Sequence, residues 1–187
     1  MKKYLKVILI TYVIGILMFG LDQMTKQMII NAMPISIDTA SQTFGQYPSY
    51  KFLPWLWFTH VVNFGAAFSI LYGQKNLLLL MAFVISSGVI YFEVTSREYR
   101  TKTLSAAIGF IMGGAAGNIF DRARQGYVTD FFDFRNSAGQ NVWPIWNVAD
   151  VSIDIGIALL VIYFFFQESK IEKKRAEEKQ EVSNVES

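Results

Sequence analysis

Two long apolar segments, one ending in Gly117-Asn-Ile-Phe-Asp-Arg122 and the other opening on Asn147-Val-Ala-Asp150, carry carboxylates at the ends that a short aromatic loop joins. A charged, unpaired carboxylate at hydrocarbon depth costs several kcal/mol, so acids in such places mark functional sites by default. Any fold of this chain must bring Asp121, Asp130, Asp133, Asp150 and Asp154 to positions where partners or a shared proton offset that cost.

The rest of the chain is equally apolar. Its 187 residues are 52% hydrophobic and 16% aromatic, and the mean hydropathy of +0.30 is too high for an ordinary soluble domain of this size. Four runs, at about 7–32, 77–93, 104–121 and 147–167, have the length to cross about 30 Å of hydrocarbon at about 1.5 Å per residue. The expectation is an integral membrane α-helical protein, a single polytopic domain over residues 1–187. Its outer parts are a small β-element at about 35–75 and an amphipathic loop at about 122–146, and a charged tail occupies 168–187.

The first run follows a basic start, Met1–Lys6, as a secretory signal would. It continues through Asp22-Gln-Met-Thr-Lys26 to Ala32 without a small-x-small cleavage site, which favours a first membrane span. Asp22 and Lys26 stand four apart with the acid first, the favourable order for a helical ion pair. Pro34 ends this helix, and alternation in Leu56–Phe68 predicts strand. Trp55, Trp57 and Phe58 are expected at headgroup level, where aromatic belts form. His60 has no second histidine with which to share a metal and is expected to be a strand or interface residue. Gly109, Gly113 and Gly117 repeat every four residues, a small-xxx-small ladder that admits a neighbouring helix backbone.

Charge sets the topology. Lys2, Lys3, Lys6, Arg97, Arg100, Lys102, Lys170, Lys173, Lys174, Arg175 and Lys179 put 11 of the 17 basic residues on the side of the termini. The positive-inside rule then predicts cytoplasmic termini and acids at the outer end of the bundle. A net charge of +2 leaves no electrostatic footprint for nucleic acid. The absence of cysteine removes thiol nucleophiles, thiolate metal sites and disulfides.

Asn118, Asp121 and Arg122 share one helical face, as do Asn147, Asp150 and Asp154, and Asp130 can fold back over the same end. Two carboxylates a few ångströms apart cannot both ionise and titrate as a unit. The ionised member can take a proton from water while the protonated one polarises a peptide carbonyl, which is amide hydrolysis without a covalent intermediate. Other readings stay open on the residues alone. Asn147 and Asp150 suit a helix N-terminus, and Asp121–Arg122 suits a plain ion pair. A proton-coupled carrier would string acids along a path through the bilayer, whereas these crowd one end; a scaffold with buried ion pairs is the third possibility.

Four blocks in order carry a resemblance to a known family: Asp22-Gln-Met-Thr-Lys26, Asn63-Phe-Gly-Ala-Ala-Phe-Ser69, Gly113–Arg122 with Val128-Thr-Asp-Phe131, and Trp143-Pro-Ile-Trp-Asn-Val-Ala-Asp150. The chain resembles lipoprotein signal peptidase (signal peptidase II), an integral-membrane aspartic endopeptidase of bacteria. The resemblance implies four transmembrane helices with a small extracytoplasmic β-cradle in the bacterial inner membrane. It implies a substrate too: a prolipoprotein bearing diacylglyceryl on its lipobox cysteine, cut on the N-terminal side of that cysteine. Asp130 and Asp150 would be the catalytic dyad. Asn63, Gly65, Asn118, Asp121, Arg122 and Asn147 would hold substrate backbone and dyad, with Asp22 and Lys26 supporting them. Membrane lipid and the cyclic peptide inhibitor globomycin are implied partners; a monomer without metal or cofactor is expected. Trp146 stands where the family usually has Phe, and Asp133 and Asp154 are acids the family pattern does not require.

Overall fold

A computed structural model of the chain describes residues 2–33, 49–65, 71–95 and 101–185. Most of the expected insert at 35–52 and the end of the Asn63–Ser69 block therefore lie outside the described residues. Among those described there are four helices, α1 (Lys2–Ala32), α2 (Lys75–Thr95), α3 (Lys102–Gln125) and α4 (Val148–Val185), and three strands, β1 (Ser49–Lys51), β2 (Leu56–Asn63) and β3 (Val128–Phe134). All four helices contain a stretch long and apolar enough to cross a membrane.

α3 is the central helix, packed along α1 on one side and α4 on the other, with α2 against it more sparsely. Its termini are punctuated locally. Thr101 accepts a hydrogen bond from the Leu104 amide at 3.1 Å, and Gly126 takes the left-handed conformation (φ 92°) that closes the C-terminus. The glycine ladder does what its spacing predicts. A Cβ at Gly113 would stand 2.6 Å from the Gly15 carbonyl oxygen of α1, so the two backbones touch where only glycine fits. Gly117 likewise leaves room for the Asp22 carboxylate. Hydroxyls stitch the same seams: Thr11 Oγ1 donates to the Ser105 carbonyl at 3.1 Å and Ser152 Oγ to that of Phe110 at 2.7 Å. Leu104, Ile108 and Tyr163 form a buried cluster where α3 meets α4.

The strands form one antiparallel sheet in the order β1-β2-β3. Part of what the sequence suggested as an outer loop, 122–146, is therefore strand. Val128-Thr-Asp-Phe-Phe-Asp-Phe134 is β-branched and aromatic, and it pairs with the free side of β2. The register slips by one between Phe58–Phe132 and Val61–Asp130, a bulge that sets Thr59 and His60 against a single residue of β3. Burial in β2 does not alternate; it is continuous from Thr59 to Val62. His60 Nδ1 lies 3.0 Å from the Met33 carbonyl oxygen and so joins the sheet to the end of α1. Beyond β3 the chain doubles back, bridging Arg135 to Asn141 and Phe132 to Trp146, and enters α4. α4 itself stays helical past the apolar span, through the charged segment to Val185.

Candidate active site

The N-terminus of α4 is built as a reciprocal cap. Asn147 Oδ1 accepts from the Asp150 amide and Asp150 Oδ2 accepts from the Asn147 amide, both at 3.1 Å. The capping that the sequence offered as an alternative to catalysis is thus present, and it leaves the outer atoms of both side chains free to reach elsewhere. Asn147 Nδ2 donates to Asp130 Oδ1 at 2.6 Å and lies 3.2 Å from Asn118 Oδ1. Asn118 Nδ2 donates to Asp150 Oδ1 at 2.8 Å. Asn63 Nδ2 completes the ring from β2, donating to Asp130 Oδ2 at 2.9 Å. Three asparagines, from β2, α3 and the cap that precedes α4, therefore hold Asp130 of β3 and Asp150 of α4 over one end of the bundle.

Asp130 is 1% exposed. Burial, and next the negative charge of Asp150, push its carboxyl up to about 8, against the hydrogen bonds from Asn63 and Asn147 that favour the ionised form. Near neutral pH the pair therefore retains a proton that exposed carboxylates would have lost.

Beneath this ring lies a second polar layer. Lys26 Nζ is 2.9 Å from Asp22 Oδ2, 3.0 Å from Asp121 Oδ2 and 2.9 Å from Asn118 Oδ1, and Lys26 is 2% exposed. Asp22 Oδ1 accepts from the Ala149 amide at 2.9 Å, satisfying a free N–H in the first turn of α4. Asp121 Oδ2 accepts from the Thr129 amide at 3.2 Å, tying α3 to β3. Arg122 reaches the other way, its Nη2 donating to the Gly65 carbonyl at 2.6 Å and its Nη1 to the Asn118 carbonyl at 3.4 Å. The Gly65 amide in turn donates to Asn63 Oδ1 at 2.9 Å.

Every residue expected at the site thus falls within one connected network, but two further acids do not. Asp133 accepts from Arg135 Nε at 2.8 Å, Thr59 Oγ1 at 2.7 Å and Asn141 Nδ2 at 2.8 Å, sharing no partner with Asp130. An odd spacing on a strand separates them. Asp154, expected in the stripe of Asn147 and Asp150, is exposed. The face of α4 that meets α3 runs through Ala149, Ser152 and Gly156, with Gly156 against the Ala107 carbonyl, and Asp154 lies off that face. Of the five acids expected to converge, Asp121, Asp130 and Asp150 do so, and Asp22 of α1 joins them through Lys26.

Two members were not foreseen. Gln23 Nε2 donates to Asp22 Oδ2 and Asp121 Oδ1, both at 3.0 Å, and Thr129 gives its amide to Asp121 and its carbonyl to Asn147. The first could have been found from Gly117, whose missing side chain lets α1 approach closely enough for both Asp22 and its neighbour to touch α3. Among the described residues no group of three or more His, Cys, Asp or Glu side chains is arranged to hold a metal ion.

The chain is similar to known proteins. The family described as signal peptidase (SPase) II matches residues 14–166. A lipoprotein signal peptidase of Halothermothrix orenii is 38% identical over 157 residues, 84% of this chain and 96% of that one. A lipoprotein signal peptidase of Haemophilus influenzae is 36% identical over 166 residues, 87% of this chain and 86% of that one. Among solved structures, a bacterial membrane enzyme determined by the in meso method at 2.3 Å resolution superposes with a TM-score of 0.72 at 30% identity, covering 86% of this chain and 90% of the other.

Proposed function

Because the chain belongs to the signal peptidase II family of aspartic peptidases, multi-pass membrane enzymes that remove signal peptides from lipoproteins, we propose that Asp130 and Asp150 are its catalytic dyad. The observation that carries this reading is the convergence of the two carboxylates from different elements through Asn63, Asn118 and Asn147. Asp150, with Asn118 Nδ2 on one oxygen and the Asn147 amide on the other, acts as the charged member. It takes a proton from a water molecule as the water oxygen attacks the scissile carbonyl carbon. Asp130 donates its own proton to the carbonyl oxygen, and a tetrahedral diol forms. Collapse returns that proton to Asp130, the C–N bond breaks, and Asp150 delivers its proton to the leaving amine.

The substrate is a prolipoprotein carrying diacylglyceryl on the cysteine, cut on the N-terminal side of that residue. Such a substrate is itself a membrane helix with lipid at its end, so it approaches laterally, along the bilayer, to a dyad at the mouth of the bundle. Asn63, Gly65, Asn118, Asp121, Arg122 and Asn147 hold substrate backbone and dyad, while Asp22 and Lys26 fix α1 beneath them. The distribution of Lys and Arg supports cytoplasmic termini and a dyad at the outer face of the bacterial inner membrane. Globomycin, a cyclic peptide, competes for the same place, and a monomer suffices.

The decisive experiment is cleavage of a diacylglyceryl-modified prolipoprotein by the purified protein in detergent, followed by gel shift, beside Asp130→Asn, Asp150→Asn and the unlipidated precursor. Wild-type cleavage of the lipidated precursor alone, lost in both variants, is the expected result. Full activity in either variant overturns the dyad.

A further inference from the structure

The outer sheet holds a second built polar cluster that hydrolysis leaves unused. Arg135 spends Nε and Nη2 on the buried Asp133, and Nη2 also reaches Ser49 Oγ at 2.8 Å, so the guanidinium is fixed in place. It lies over the indole of Trp57 at 4.7 Å from the ring centroid, and the Lys51 ammonium faces the same ring at 5.8 Å. Nη1 of Arg135 and Nζ of Lys51 form no hydrogen bond with the described residues. These two cations border an open concavity of about 480 Å³ whose walls include Trp55, Trp57, Ser137 and Gly139. That volume falls in the range of small-ligand sites, about 300–1,000 Å³.

We propose that this concavity binds the phosphate of an anionic phospholipid headgroup. Lys51 and the free edge of Arg135 supply the charge, and Ser137 is among the residues that line the concavity. Asp133 neutralises one of the two cations, so an ordinary anion gains little here from charge alone; the apolar surroundings decide the source. Trp55 and Trp57 line the concavity itself, and Trp55 is 52% exposed. Aromatic side chains turned outward beside cations, on a sheet at the end of a membrane-spanning bundle, are the composition of a membrane–water interface. A lipid presents its glycerol and upper acyl carbons to those rings while its phosphate meets the cations. A soluble phosphate or an acidic peptide offers the second contact without the first.

The test titrates full-length protein in detergent with three probes and follows tryptophan fluorescence: dihexanoyl phosphatidylglycerol, dihexanoyl phosphatidylcholine and inorganic phosphate. Phosphatidylglycerol is expected to saturate, with the other two at least tenfold weaker. Lys51→Glu is expected to weaken phosphatidylglycerol at least tenfold and Lys51→Arg to restore it to within threefold, both variants cleaving the lipoprotein precursor at the wild-type rate. Lys51 is an edge-strand residue outside the dyad network, so cleavage reports folding separately from lipid binding. Equal binding of both lipids, displacement of the lipid by equimolar phosphate, or undiminished binding by Lys51→Glu would each overturn the proposal.

Discussion

Asp130 and Asp150 differ in surroundings more than in kind. Asp130 sits buried on a strand, where desolvation and the Asp150 charge push its carboxyl up to about 8; Asp150 sits in the first turn of α4, where the helix N-terminus favours a negative charge. With Asp130 as the proton donor, kcat/KM for the lipidated precursor is expected to fall as pH rises through about 8, and a profile flat to pH 10 would exclude that role. The same residue affects stability. Its folded-state carboxyl is raised from 3.8 to about 8, so between those values the folded chain keeps a proton that the unfolded chain has released. Folding stability from this group therefore falls as pH rises across the window and is lowest above it. Asp130→Asn removes the effect. The melting temperature of the variant, relative to wild type, is expected to be higher at pH 8 than at pH 5, as measured by thermal unfolding in detergent.

The helices follow from the chain's periodicity, and the glycine ladder shows how far that reaches. The four-residue spacing of Gly109, Gly113 and Gly117 predicts a close helix contact but not its partner, which is α1 through Thr11, Gly15 and Asp22. Gly113→Ala would press a methyl into the Gly15 backbone, an overpacking cost of about 1–3 kcal/mol. Gly20→Ala meets nothing within 4 Å and is expected to be neutral or to stabilise α1. Thermal melts of the two variants in one detergent separate the effects, and equal melting temperatures would contradict the contact. The elements that local pattern missed are those defined by distant partners. β3 is a strand because β2 offers it an edge, and Asp154 lies off the packed face because Ala149, Ser152 and Gly156 occupy it. Asn118, Asp121, Asn147 and Asp150 were legible for a different reason, as Asn and Asp at helix ends in apolar surroundings that need partners, whereas Asn63 and Gly65 came only through the resemblance. Gln23 escaped notice because its role depends on how closely α1 and α3 approach.

Across the whole molecule, Lys26 is the point where scaffold and chemistry meet. It is the cation between Asp22 of α1 and Asp121 of α3, and it also donates to Asn118 Oδ1. That third bond fixes the amide so that Nδ2 faces Asp150, which makes Lys26 a positioning residue for the dyad through Asn118. Lys26→Met leaves two buried carboxylates facing each other without a cation, a loss of about 3–5 kcal/mol that is expected to appear as a sharply reduced yield of monodisperse protein. Adding Asp22→Asn and Asp121→Asn removes the uncompensated charges and is expected to restore folding. Activity should not return with it, because Asn118 Oδ1 has lost its shorter, charged donor and keeps only the 3.2 Å contact to Asn147 Nδ2, which holds the amide less firmly. The triple variant is therefore expected to fold, to bind lipidated precursor with a KM within threefold of wild type, and to turn it over at least tenfold more slowly. A purely structural lysine predicts the opposite, that kcat returns together with the fold. Measuring kcat and KM on the triple variant beside the Asp22→Asn, Asp121→Asn double variant, which keeps Lys26, decides between them.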